Sequence, residues 1–198
     1  MSKDDHGPAQ DLVALVGSRI CHDLVSPLGA IGNGIELMML TGGEETPEMT
    51  LVNESLVNAR ERIRFFRIAF GAAADGAVVR AAEIAEALSA IETKAEIDWR
   101  IVGDMARGEA KLALLAVNCL ASAMPYGGAI TITSEGAGLV ATGSAERFKI
   151  DEDDWRLLGT PGYPSPARVH FALLPQEAAA QGRTLMIQRA ESQITLTV

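Results

Sequence analysis

Few residues here come with ready-made chemistry. Cys21 and Cys119 are the only cysteines in 198 residues, too few, and placed too helically, for a disulfide scaffold or a metal site. Histidine is as sparse, with His6, His22 and His170 alone. Positive charge is also short: 17 Lys and Arg stand against 26 Asp and Glu, for a formal net charge of −9 and a pI of about 4.8. Phosphate repulsion then argues against nucleic acid as a partner. No uncharged apolar run approaches the roughly 18 residues of a membrane helix, and the polar start Met1-Ser2-Lys3-Asp4-Asp5-His6 does not read as a signal peptide. The expectation is a cytoplasmic protein with no membrane partner. With 48% hydrophobic and 22% charged residues the chain is globular rather than disordered, and it is long enough for one or two real cores.

What is present concentrates in a helical run over residues 11–40. At about 100° per residue, Ser18, Ser26, Gly29, Asn33 and Glu36 fall within about 40° of His22. Val13, Ile20, Leu24, Ile31 and Met38 gather on the opposite side. One face is an apolar seam, and the other is a strip of short polar residues carrying one imidazole. The same helix has features that weaken it. Pro27 removes an internal amide and clashes with the Asp23 carbonyl, which predicts a kink. Gly29, Gly32 and Gly34 each cost about 1 kcal/mol relative to alanine. Tertiary packing must hold this helix, and its small residues let a neighbour come close.

The segment His22-Asp23-Leu24-Val25-Ser26-Pro27-Leu28 resembles the H-box of two-component signalling, in which a helical histidine carries a phosphoryl group. The longer run from Ser18 to Leu37 resembles the ChpT-like histidine phosphotransferases of alphaproteobacterial phosphorelays.

Past Thr41-Gly42-Gly43, the trio Thr46, Pro47 and Glu48 is a helix start. The helix it opens, over 47–70, places Met49, Val52, Leu56, Ala59, Ile63, Phe66 and Phe70 three and four apart as a heptad seam. Two helices with one stripe each cannot close a core, whereas two copies of the hairpin can. The expectation is a homodimer around a four-helix bundle, with packing on the chain's own second domain as the competing reading. The alanine- and glycine-rich segment 71–76 is the natural domain boundary. Beyond it helices are expected at 81–92, 108–124 and 167–181, with a helical turn at Trp155–Leu158. Strands are expected at 78–80, 97–102, 129–134, 139–142, 184–189 and 193–198. The organisation is therefore α+β: a disordered tail (1–10), an antiparallel helical hairpin (11–72) and an α/β sandwich (76–198) with helices on one face.

That order is similar to the GHKL fold, the ATP-binding domain of histidine kinases. Leu112 to Ala123, followed by Gly127-Gly128-Ala129-Ile130, resembles a decayed N-box. The family holds Mg²⁺ on nucleotide phosphates with two asparagines one turn apart; Asn118 matches the second, but Leu114 stands in place of the first. An apolar side chain cannot ligate a hard cation, and neither the adenine-reading Asp-x-Gly-x-Gly nor a glycine-rich lid follows. The expectation is a degenerate sandwich without nucleotide, cofactor or metal of its own.

The expected chemistry follows from His22. Neutral imidazole is a nucleophile at physiological pH, and attack on an aspartyl phosphate gives a phosphoramidate that a second aspartate can reclaim. Such transfers depend mostly on alignment and charge neutralisation, with Mg²⁺ expected from the partner receiver domain. Asp23, about 100° round the helix, is placed to orient the imidazole, and Arg19, about 60° away, to pair with phosphate or an acidic receiver pocket. Ser18, Ser26, Gly29 and Asn33 leave room for a docked domain. Arg62, with Arg60, Arg64 and Arg67, forms either a basic patch or simply a solvated face. Cys21 is expected to be packed inside. The resemblance implies receivers of a hybrid kinase (CckA-like) upstream and of response regulators (CtrA-like, CpdR-like) downstream. Two other functions compete: an autophosphorylating kinase with an atypical nucleotide site, and a non-catalytic dimeric module that binds a regulator.

Overall fold

The computed structural model describes residues 7–40, 46–73, 76–136 and 138–198. Their contacts divide the chain into two compact units. One runs up to Ala72 and includes Ala85–Ala90, and the other comprises Ala73–Ile84 and Ile91–Val198. The segment Ala85–Ala90, expected in the sandwich, thus groups with the first unit.

The first unit is built on α1 (Gly7–Leu40) and α2 (Pro47–Ala69). Residues 7–10, expected in a disordered tail, are helical; residues 1–6 lie outside the described residues. Helix α1 runs on through Pro27 despite the amide lost there. Helix α2 opens as its sequence asks: the Thr46 hydroxyl accepts from the Met49 amide at 3.3 Å, with Pro47 in the first turn. The helices are antiparallel, because Gly17 lies beside Phe70 while Leu28 and Gly29 meet Arg60.

The surfaces in contact differ from the expected seam. Among the described side chains of α1 the buried residues are Cys21, Gly32 and Ile35, a stripe about 80–140° from His22 by the helical period. Of the expected dry seam, Ile20, Leu24, Ile31 and Met38 remain 46–54% exposed in the single chain, and the Val13 side chain lies outside the described residues. On α2, Leu56 and Ile63 are buried, Met49, Ala59 and Phe70 are half-buried, and Val52 and Phe66 are exposed. Arg60 crosses between the helices beside buried Gly32, and the larger apolar stripe of α1 is left over.

The second unit opens with β1 (Val78–Val79), which pairs antiparallel with β3 (Met105–Ala106). Between them lie α3 (Ala81–Ser89) and β2 (Ala95–Trp99). Then follow α4 (Arg107–Ala123), β4 (Gly128–Glu135), β5 (Gly138–Ser144), α5 (Glu152–Arg156), α6 (Val169–Ala180), β6 (Met186–Arg189) and β7 (Gln193–Thr197). The main sheet has the order β2-β4-β5-β7-β6, parallel between β2 and β4 and antiparallel elsewhere. Strand β2 begins two residues before the expected strand 97–102 and ends at Trp99, ahead of the turn on Gly103 at φ 87°.

Alternation sorts the sheet. Ile130, Ile132, Ala141, Ile194 and Leu196 are buried on one face, while Thr131, Thr133, Thr142, Thr195 and Thr197 of the other are half-buried. Helix α4 lies against the apolar face; a Cβ on Gly143 would come within 2.9 Å of Met124 Sδ and 3.3 Å of Leu120 Cδ2. Helix α6 covers α4, tied to it by Lys111 and Glu177 at 2.6 Å, a pair almost closed off from water. Covered on both sides, α4 can be apolar all round. This is a helices-on-one-face sandwich of the GHKL kind, and the whole fold is α+β.

Candidate phosphoacceptor site

His22 stands exposed on α1. Along its face, Ser26, Asn33 and Glu36 are exposed and Gly29 is half-buried, which leaves a shallow approach with no bulky side chain at those positions. The side chains of Ser18, Arg19 and Asp23 lie outside the described residues, so α1 fixes only their place on the helix. Cys21, next in sequence to His22, points the other way and is 6% exposed. Burial pushes its thiol pKa up, with the Arg67 charge acting against that, and a protonated buried thiol is a poor nucleophile.

The remaining histidines do not compete. His6 is outside the described residues. His170 sits in α6 at 4% exposure, its Nε2 3.2 Å from the Ser122 hydroxyl and its ring packed on Phe171. Burial, with the Arg168 charge adding to it, pulls its pKa down to about 4.

The helix-2 arginines do not form one solvated face. Arg62 is half-buried, with Nε donating to Asn58 Oδ1 at 3.4 Å. Arg60 reaches across to α1, where Nη2 donates to the carbonyls of Leu28 at 3.3 Å and Gly29 at 3.5 Å. Gly32 provides the opening, since a Cβ there would lie 2.8 Å from Arg60 Cζ. Sequence reasoning missed this pair. The available signal was a glycine on the stripe of Cys21, Leu28 and Ile35, facing an arginine one turn from Leu56.

In the second unit, Leu114 has no exposed surface and Asn118 is half-buried, its carbonyl taken by the Ser122 hydroxyl at 2.9 Å. The N-box positions therefore carry one amide and one sealed apolar side chain, which do not fit a nucleotide-bound Mg²⁺. Among the described residues no group of three His, Cys, Asp or Glu side chains could hold a metal ion, and no helix is long and apolar enough to cross a membrane.

A family model described as the histidine phosphotransferase C-terminal domain matches residues 79–193. Protein phosphotransferase ChpT of Brucella abortus (strain 2308) is 35% identical over 175 residues, covering 85% of this chain and 78% of its own length. The chain belongs to the ChpT-like histidine phosphotransferases. A solved structure described as a bacterial phosphotransferase is 28% identical to it, covers 96% of both chains and superposes with a TM-score of 0.64. In this ChpT-like chain the family model covers most of the sandwich, while the likeness to the solved phosphotransferase spans nearly the whole chain.

Proposed function

We propose that the protein accepts a phosphoryl group on His22 from a receiver-domain aspartate and passes it to the receivers of response regulators, without binding ATP. The observation that carries this reading is the exposure of His22 on a helix face of small polar residues, while His170 is sealed in the core. In the forward step the lone pair of an imidazole nitrogen attacks phosphorus, a P–N bond forms, and the P–O bond to the aspartate breaks with its electron pair left on the carboxylate. The second transfer runs the same step in reverse onto another aspartate. Because the transition state is loose, the protein's share is alignment. We assign Mg²⁺ to the receiver, whose acidic pocket supplies the oxygen ligands; among the described residues of this chain no cluster of three His, Cys, Asp or Glu side chains could hold it.

Asp23 and Arg19 orient the ring and meet the phosphoryl charge, and Ser18, Ser26, Gly29, Asn33 and Arg62 line the docking surface. The exposed stripe Ile20, Leu24, Ile31 and Met38 supports a homodimer in which a second hairpin covers it as a four-helix bundle. The donor is the receiver of a CckA-like hybrid kinase, the acceptors are CtrA-like and CpdR-like receivers, and the setting is the cytoplasm. The misfit of Leu114 supports the absence of ATP chemistry.

The test is labelling from a receiver phosphorylated with radioactive phosphate. The wild-type protein should become labelled and then discharge to a second receiver, whereas His22→Ala should take up none while keeping its oligomeric state. Incubation with labelled ATP alone should give no incorporation. Persistent labelling of the alanine variant would refute the site, and labelling from ATP would make the protein a kinase.

A further inference from the structure

We propose that Arg60 is a positioning residue: seated in the gap at Gly32, its guanidinium holds the backbone of α1 at Leu28-Gly29 and so sets the geometry of the turn beyond His22. The inference rests on the phosphotransfer reading and adds a residue to it. Helix α1 is weak at this place by its own sequence. Pro27 supplies no amide to the Asp23 carbonyl, and Gly29, Gly32 and Gly34 follow within eight residues of it. The helix nevertheless runs unbroken to Leu40. Two hydrogen bonds from 31 and 32 residues away land on the turn directly after the proline. They come from a cation, and such charge-assisted bonds to backbone carbonyls are stronger than neutral ones.

The glycines separate the roles. A Cβ at Gly34 would meet nothing within 4 Å, and one at Gly29 likewise, whereas a Cβ at Gly32 would run into the Arg60 guanidinium. The three atoms nearest to a Cβ at Gly32 all belong to the Arg60 guanidinium. Gly29 lies on the His22 face and accepts from Arg60 through its carbonyl, so the guanidinium borders the surface a receiver would meet. Release of this hold lets the segment after Pro27 shift relative to His22, and group transfer is sensitive to shifts of about 1 Å.

Substitution at the glycines opposes helix propensity to the clamp. Gly32→Ala and Gly34→Ala should both raise helicity by propensity. Only Gly32→Ala should slow transfer from a phosphorylated receiver, by about tenfold in maximal rate, with the half-saturating receiver concentration changed less than about threefold. Arg60→Ala should slow it similarly, and Arg60→Lys should recover part of the loss. In the double variant, Gly32→Ala should add nothing to Arg60→Ala, because both remove one interaction. Amide hydrogen exchange over residues 28–34 should speed up in Arg60→Ala at unchanged global stability, a readout that needs no phosphotransfer. Wild-type protein that takes no label would end the phosphotransfer reading, while the exchange result would still judge the hold. Equal slowing in both glycine variants, additive losses in the double variant, or unchanged transfer and exchange in Arg60→Ala would overturn the proposal.

Discussion

Helices α1 and α4 are both rich in apolar residues, and they dispose of them in opposite ways. In α4, Leu112, Leu114, Leu115 and Leu120 have no exposed surface, because a sheet lies beneath the helix and α6 above it. In α1, Ile20, Leu24, Ile31 and Met38 stay about half exposed, while Cys21, Gly32 and Ile35 are buried and Arg60 of α2 reaches the Leu28 and Gly29 carbonyls. The sandwich satisfies its own burial requirement within one chain, and the hairpin does not. The difference leaves His22 exposed on its helix face and the larger apolar stripe of α1 uncovered in the single chain.

The sharpest test of this contrast exchanges the two histidines. His22→Ala should remove all labelling from a phosphorylated receiver, whereas His170→Gln should leave labelling per folded molecule intact and lower only stability; loss of labelling in both would dissolve the distinction. Next comes burial. Leu114→Ala should cost about 2–5 kcal/mol in urea denaturation, whereas Ile31→Ala, at a half-exposed site, should change the stability of dilute protein by no more than about 0.5 kcal/mol. At high concentration Ile31→Ala should instead weaken self-association in sedimentation velocity. Equal costs in dilute solution would mean that the α1 stripe is core after all.

A third test uses pH. Folding lowers the His170 pKa from an ordinary 6.5 to about 4, so the unfolded chain takes up the proton first. The contribution is fully present above about pH 6.5 and is lost as pH falls toward 4, amounting to about 3 kcal/mol. Asp154 acts in the opposite sense, since burial, followed by the Asp151 charge, raises its carboxyl. Its stabilisation is present in acid and is lost as pH rises through the raised value. The midpoint of urea unfolding should therefore drop between pH 6.5 and 4.5 in the wild type and much less in His170→Gln; parallel curves would show that another group dominates. The smallest effect belongs to the hairpin's edge. Thr46→Ala removes the cap of α2 and should cost about 1 kcal/mol by thermal melting, with transfer from the receiver unchanged.

Much of this was legible in the residues. Apart from the two-residue strand β3 (Met105–Ala106), too short to show a period, the order of helices and strands followed from apolar periods of 3.6 and 2, and the polar strip around His22 from the same arithmetic, since His22, Ser26, Gly29 and Asn33 need only one regular helix to share a face. The capped start at Thr46 was equally local. What the sequence misassigned involved choice among faces. The heptad reading joined Leu56 and Ile63 with Val52 and Phe66 into one seam, yet only the first two are buried in the hairpin. The arginines of α2 read as either a basic patch or a solvated face, although Arg60 crosses to α1 beside Gly32. The end of β2 was misjudged because the alternation runs on to Val102, whereas the strand stops at Trp99, ahead of the turn on Gly103.

By itself the sequence determined which side chains share a helix face with His22, because that depends on spacing along one element, while the resemblance to the N-box implied that Leu114 stands where a Mg²⁺-binding amide would be needed. Only the tertiary structure decided that α1 buries Cys21, Gly32 and Ile35 rather than its larger apolar stripe, that Arg60 passes Gly32 to reach carbonyls 31 and 32 residues away, and that His170 rather than His22 is closed off from water. Such choices depend on how volumes fit between segments distant in the chain, and side-chain packing, unlike helical period, is not a local property.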